Sequence, residues 1–309
     1  MQYIEHTSAG TRNGTRNSVN FDFDWTPPAT DMGTINIYVA ANAANGDGGT
    51  GGDHIYTAHY TLTSAPTAPT PTISSVVNAG GFQNFIEAGS FVAVTGVNLA
   101  NSTRSWGAAD LASGKLPTSL DGVSVTINGK AAYINYISPG QINLIAPADS
   151  SLGSVGVVVN NNGVTSKTGT VMLAAQSPAA FLWAGKYAVA THLDYSLVGP
   201  TSLYPGATTP AKPGETIILW GTGLGATTPA APDGIFTPTT NLYSVTNPVT
   251  ARVGDIPANM AAAVLTPTAA GLYQVVLQIP DAAPDGDLSV YLIENGIQSP
   301  DGVLITVQH

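Results

Sequence analysis

The sequence predicts an all-β protein: two tandem Ig-like β-sandwiches preceded by an N-terminal β-segment. Three observations carry this expectation. The body of the chain repeats itself. Gly89-Ser90-Phe91-Val92-Ala93-Val94-Thr95-Gly96 aligns with Gly214-Glu215-Thr216-Ile217-Ile218-Leu219-Trp220-Gly221, and Leu99 with Leu224 and Gly129 with Gly254 follow at the same offset. After a short insertion, Gln141-Ile142-Asn143-Leu144-Ile145-Ala146-Pro147 aligns with Gln274-Val275-Val276-Leu277-Gln278-Ile279-Pro280. Gly153 then matches Gly286, Asn162-Gly163 matches Asn295-Gly296, and Ser166 matches Ser299. Turn residues and strand runs recur together, so one β-module is used twice. The chain is also punctuated by 34 Gly and 22 Pro, which favours many short strands. Finally, no long segment carries a helical hydrophobic period.

The elements follow in order. Residues 1–63 form a first β-segment. In it, Val19-Asn20-Phe21-Asp22-Phe23-Asp24-Trp25 alternates apolar and polar residues, the period of a half-buried strand, and Pro27-Pro28 stops it. Thr34–Ala40 and Ile55–Leu62 read as two more strands. Residues 64–72 are a Pro/Thr linker, stiff and extended. Residues 73–175 make the first sandwich and 176–309 the second, with turn-to-turn spacings typical of Ig-like folds. A short helix over Ser105 to Leu111 is the only helical expectation.

Composition narrows the function. Of 309 residues, 43% are hydrophobic, enough to build a core, and only 9% are charged. Thr, Ser, Asn and Gln must therefore supply the polar surface, as in many secreted β-proteins. With 9 Lys+Arg and a net charge of −10 there is no basic patch, so nucleic acid is excluded as a partner and an anionic membrane surface repels the chain. No apolar run reaches membrane length, so no membrane insertion is expected. The absence of cysteine excludes disulfides and thiolate chemistry. The opening Met1-Gln2-Tyr3-Ile4-Glu5 reads as the interior of a longer chain, with an export signal expected upstream.

Several stretches resemble known families. Pro71 to His309 resembles the uncharacterised Solibacter-type C-terminal domain, found at the ends of large exported acidobacterial proteins. The matching residues include Val77-Asn78-Ala79, Leu116-Pro117-Thr118-Ser119-Leu120-Asp121-Gly122-Val123, Tyr136-Ile137-Ser138-Pro139-Gly140-Gln141-Ile142-Asn143, Pro210-Ala211-Lys212-Pro213-Gly214-Glu215 and Gly271-Leu272-Tyr273-Gln274-Val275. That family brings no established activity. Each half also resembles an IPT/TIG Ig-like domain, with its Gly-x-Leu turn and later Ile-x-x-x-x-Pro strand end, which implies a spacer, adhesin or polymer-binding role. Residues 21–62 resemble the end of a reeler or choice-of-anchor surface domain, through Phe23-Asp24-Trp25-Thr26-Pro27-Pro28, Tyr38–Asp47 and Gly52-Asp53-His54-Ile55-Tyr56.

Gly48–Tyr56 fits a single copy of a Ca²⁺-binding β-roll nonapeptide; one copy reads better as a Gly-rich hairpin loop, with Asp47 and Asp53 as Ca²⁺ candidates. No other cofactor is expected. His54 and His59 fall on opposite faces of a strand, which argues against joint ligation. His192-Leu193-Asp194-Tyr195-Ser196, if extended, places His192, Asp194 and Ser196 on one face. These are the residue types of a nucleophilic triad, although same-face neighbours on one strand stand roughly 7 Å apart. Glu87 and Glu215 read as exposed strand-end carboxylates. Gly221–Gly225 precedes no helix, so it is a β-turn and not a phosphate cradle. Trp106 in its loop, and Trp183 with Tyr187 at the module junction, are the candidate glycan-stacking residues; Trp25 and Trp220 read as core. The expected function is a non-catalytic extracellular or cell-surface module for adhesion, anchoring or spacing, with a polysaccharide or other surface partner. The alternative is a hydrolase, esterase or glycosidase, on a β-sandwich scaffold.

Overall fold

The computed structural model describes residues 3–12, 14–26, 28, 32–63 and 69–309. The chain falls into two compact units, residues 1–67 and 68–309. Among the described residues there is no α-helix, only the 3₁₀ turn Ser8–Gly10. Pro27 and residues 64–68 of the expected linker lie outside the described residues.

In the first unit, Ile35–Ala43 pairs antiparallel with His54–Leu62, from Ile35 opposite Leu62 to Ala43 opposite His54. Among the described residues of its unit, nothing covers this hairpin. The whole second strand is exposed, and only Ile35 and Ile37 of the first are half-buried. The strand expected over Val19–Trp25 does not form. Val19, Phe21, Phe23 and Trp25 lie in irregular exposed chain, so Trp25 is not a core residue. Alternation supplies a face, but a strand needs a neighbour to satisfy its backbone, and two strands here find only each other.

The second unit holds both sandwiches. In the first, one sheet runs Thr72–Asn78, Phe91–Val97, Gln141–Ile145, Tyr133–Ile137, Arg104–Ser105. The facing sheet runs Phe85–Glu87, Gly169–Ala174, Gly153–Asn161, Val123–Ile127, Lys130–Ala131. Inward residues at every second position fill the space between them, among them Val92, Val94, Ile142, Leu144, Val157 and Val159. The second sandwich closes on its own core of Ile217, Leu219, Val275, Leu277, Val290 and Leu292. Its long strand Ile256–Leu265 pairs with Val249–Val253 at one end and Tyr273–Gln278 along the rest, with a register shift between Met260 and Ala262 that bends it from one sheet to the other. Trp220, expected in a core, is half-buried and donates its indole N–H to Thr191 Oγ1 at 3.2 Å.

The sequence repeat has direct physical causes. Asn162-Gly163 and Asn295-Gly296 both turn with positive φ at each residue (51° and 88°, 48° and 81°), as tight hairpins require. Ser166 and Ser299 repeat one hydrogen-bond pair. Each Oγ accepts from a buried strand N–H, Val159 or Leu292, at 3.0 Å, and each Ser N–H returns a bond to that residue's carbonyl at 2.8 Å. At Gly96 a Cβ would lie 1.9 Å from the Thr72 carbonyl oxygen, and at Gly221 2.5 Å from that of Ala179. Both glycines admit a crossing backbone. The helix expected over Ser105–Leu111 is a series of turns. Asp110 accepts from the Gly107 N–H at 2.8 Å and from Arg104 Nη1 at 2.7 Å, which ties the segment into a loop.

Candidate functional site at the sandwich junction

The sandwiches meet through buried polar bonds and shared apolar packing. Asn78 Nδ2 donates to the Ser177 carbonyl at 2.7 Å and its Oδ1 accepts from the Gly80 N–H at 2.7 Å. Thr222 Oγ1 accepts from the Phe91 N–H at 2.9 Å and donates to the Gly271 carbonyl at 2.8 Å. Leu116, Ile145 and Ala270 form a small core that joins both repeats, with Phe91, Trp106, Tyr133 and Phe236 against it. Because these bonds and contacts cross between the modules, the junction is part of the folded interior.

A cleft of about 350 Å³ opens beside this junction. Phe82, Phe91 and Phe181 supply aromatic walls, and Asn135, Gln141 and Asn143 supply amides. The strand Gln141–Ile145 explains the amides: Ile142 and Leu144 are buried in the core, so Gln141 and Asn143 share the opposite face. Gln141 Nε2 donates to Asn143 Oδ1 at 2.7 Å, which fixes the amides relative to each other. Phe91 and Phe181 meet edge to face at 5.6 Å. Phe82 is 61% exposed and sits at φ 58°, a conformation unusual for a bulky residue. Its N–H is held by the Asn78 carbonyl at 2.9 Å, so the turn projects the ring beside the cleft. Sequence reading missed these residues because they are scattered along the chain; the usable signal was the Gln-x-Asn alternation beside buried Ile142 and Leu144.

The expected nucleophilic triad is not assembled. His192 to Ser196 is a tight turn and not an extended strand: Tyr195 N–H donates to the His192 carbonyl at 3.0 Å, and Tyr195 takes φ 67°. His192 Nδ1 pairs with Glu215 Oε1 at 2.5 Å and its Nε2 with Thr209 Oγ1 at 2.9 Å. Ser196 Oγ instead donates to Asp194 Oδ1 at 2.6 Å, and this bond and the Ser196 N–H hold the Asp194 carboxyl below its usual range. The serine therefore caps a turn, and His192, committed to Glu215 and Thr209, makes no hydrogen bond to it as a triad base would.

The expected aromatic residues divide. Trp106 does not stand free in its loop; it is half-buried, packs against two core clusters and meets Phe236 edge to face at 5.9 Å. Trp183 and Tyr187 face each other across the hairpin Leu182–Trp183 and Tyr187–Ala188. Trp183 meets Tyr204 edge to face at 5.6 Å, while the Tyr187 hydroxyl donates to Asp287 at 2.8 Å. Asp47 and Asp53 converge on Asn45: its Nδ2 donates to Asp47 at 2.9 Å and its N–H to Asp53 at 3.0 Å. Among the described residues no three acidic or histidine side chains gather as a metal site.

Both glutamates read as exposed strand ends differ from that reading: Glu87 is buried in the junction, and Glu215 is half-buried, paired with His192 and accepting from the Lys212 N–H. Glu294 is buried in the junction as well. Glu87 Oε2 accepts from the Gly225 N–H at 3.0 Å, and burial, opposed by that bond and reinforced by the Glu294 carboxylate, raises its pKa to about 8.

The fold thus defines a paired Ig-like β-sandwich. Residues 71–172 match the IPT/TIG domain. No curated protein matches the chain. Among solved structures, it is similar to SGBP-B of the Bacteroides ovatus mixed-linkage glucan utilization locus, in complex with a mixed-linkage heptasaccharide. The identity is 12%, over 90% of this chain and 54% of that one, with a TM-score of 0.35. It is also similar to the surface glycan-binding protein SGBP-B of Prevotella bryantii, at 13% identity over 76% of this chain and 41% of that one, TM-score 0.23. A third is the Yersinia pseudotuberculosis adhesin InvE, at 11% identity over 78% and 58%, TM-score 0.21. The chain spans about half the length of these proteins. No described helix is long and apolar enough to cross a membrane.

Proposed function

We propose that this chain is a non-catalytic extracellular or cell-surface module, used for adhesion, anchoring or spacing, whose junction cleft binds a glycan. The observation that carries the proposal is the cleft itself. Phe82, Phe91 and Phe181 offer apolar ring surface, while the coupled amides of Gln141 and Asn143 offer donors and acceptors on a rigid strand. Sugars present both chemistries, an apolar C–H face and a rim of hydroxyls, so rings with fixed amides suit them. Trp183 and Tyr187 are a second aromatic pair on a nearby stretch of chain and extend the proposed ligand surface. The Solibacter-type resemblance of 71–309 and the reeler-like resemblance of 1–63 support export as part of a larger surface protein. The carboxylates of Asp47 and Asp53, hard oxygen ligands in one Gly-rich loop, are the proposed Ca²⁺ ligands; a Ca²⁺ titration followed at the Asn45 amide tests this.

Retention on insoluble polysaccharides tests the main reading. Binding is expected, and Phe181→Ala and Gln141→Ala are each expected to weaken it about tenfold without unfolding the chain. Absence of retention on β-glucans, xyloglucan, cellulose and chitin, or retention that survives both substitutions, overturns the cleft as the binding site. Hydrolysis of chromogenic esters or glycosides that disappears in His192→Ala would restore the hydrolase alternative.

A further inference from the structure

The junction buries two carboxylates where neither sandwich needs one. Glu87 closes the strand Phe85–Glu87 of the first sandwich and is 6% exposed; Glu294 closes Gly286–Glu294 of the second and is 0% exposed. They converge on one peptide. Gly225 donates its N–H to Glu87 Oε2, and a Cβ added to Gly225 would lie 3.3 Å from Glu294 Oε1.

Their surroundings supply little compensation for charge. Glu294 Oε1 accepts from Asn247 Nδ2 at 2.7 Å, but Glu294 Oε2 is buried with no hydrogen-bond partner. Tyr273, on the strand Tyr273–Gln278, is the other titratable group in this field. Its hydroxyl is committed to the Gly225 carbonyl at 2.7 Å, and burial together with the two glutamates pushes its ionisation up. Among the described residues no Lys, Arg or His pairs with either glutamate. Two neighbouring carboxylates in such a setting cannot both remain charged.

The repeat shows that the fold does not demand this. Glu294 directly precedes the turn Asn295-Gly296, and Asn161 holds the same place before Asn162-Gly163. Asn161 is also buried, yet its amide is fully used: Nδ2 donates to the Asn98 carbonyl at 3.0 Å and to Asn101 Oδ1 at 3.2 Å, and Oδ1 accepts from Asn162 at 2.9 Å. The position calls for a buried polar side chain, and the second module fills it with an acid whose free oxygen is left unpaired beside a second acid from the first module.

We propose that Glu87 and Glu294 form a proton-held latch between the two sandwiches: with a proton retained by the pair the junction is closed, and loss of that proton to solvent at alkaline pH loosens it. The sign follows from the direction of the Glu87 shift. Its pKa lies above the ordinary carboxyl value, at about 8, so the folded state holds a proton that the unfolded chain releases. The stabilisation is fully present below the ordinary carboxyl pKa and is lost as pH rises through about 8.

Thermal unfolding of the full chain against pH tests this. The melting temperature is expected to fall progressively between about pH 5 and about pH 8 and to level off above about pH 9, and Glu87→Gln is expected to flatten that fall. Amide exchange at Gly225 and Ser177 is expected to rise with pH more steeply than in the core strands. A melting temperature that stays flat in the native sequence, or a fall that persists in Glu87→Gln, overturns the latch. So does Ca²⁺ raising the melting temperature of the native chain at neutral pH but not that of Glu294→Gln, because the pair is then a cation site. If Glu87→Gln does not fold, the carboxyl ¹³C resonances of the native chain decide. A glutamate titrating near pH 8 supports the latch, and none titrating above the ordinary range overturns it.

Discussion

The two sandwiches are built on one plan and differ where they touch. Ser90 and Glu215 occupy equivalent places and make equivalent turns: Ser90 Oγ accepts from the Glu87 N–H at 3.3 Å, and Glu215 Oε2 accepts from the Lys212 N–H at 2.8 Å. The residue three positions earlier then diverges. In the first module it is Glu87, buried in the junction; in the second it is Lys212, exposed at the surface. Asn161 and Glu294 diverge in the same way, as a satisfied amide and an unsatisfied acid. Turn geometry is therefore common to both copies, whereas side-chain chemistry at the interface belongs to each copy separately. Duplication preserved what the backbone requires and left the facing surfaces free to specialise.

Substitutions at matched positions sharpen this comparison. Asn161→Asp should cost most, about 4 kcal/mol at neutral pH, because it places an acid beside the Asn98 carbonyl and Asn101 Oδ1, with two donors lost. Chemical denaturation measures it, and a loss that disappears at low pH identifies the charge as the cause. Gly96→Ala should follow, at about 3 kcal/mol, with Gly221→Ala smaller at about 2 kcal/mol, in the order of their clashes with the crossing carbonyl. Equal costs would show that the two crossings relax alike. Ser166→Ala and Ser299→Ala should each lose about 1–2 kcal/mol, since each leaves a buried strand N–H unpaired. A clear difference between these two would break the equivalence of the modules. Ser196→Ala should change stability by less than about 0.5 kcal/mol, as its bond to Asp194 lies on an exposed turn.

The legible part of the fold is the part that backbone rules enforce. Asn-Gly turns, glycines under crossing strands and inward-facing valines leave a pattern that repeats, and both sandwiches followed from it. The Val19–Trp25 stretch shows the limit of such reading, since its alternation is as regular as that of true strands but among the described residues no partner strand pairs with it. Glu87 was misread and Glu294 passed over because charged strand-end residues are ordinarily solvated, and burial at a module junction leaves no local mark. The comparison with Asn161 could have exposed Glu294, because a shared turn implies a shared environment. The triad failed for the opposite reason. Residue types matched, but Tyr195 turned the chain and gave His192 to Glu215 and Thr209. The cleft draws Phe82, Gln141 and Phe181 from distant parts of the chain, and only packing of the two modules brings them together.

One further feature bears on mechanical load. In the first sandwich Phe85–Glu87 runs parallel to Gly169–Ala174, and in the second Tyr187 pairs in parallel with Leu304. In each module an early strand thus lies alongside the last one in the same direction. Tension applied across a module pulls such strands lengthwise past each other, so their cross-links must yield together instead of peeling apart singly. Single-molecule stretching should therefore show higher rupture forces for the first module, whose parallel pairing spans three residue pairs, than for the second.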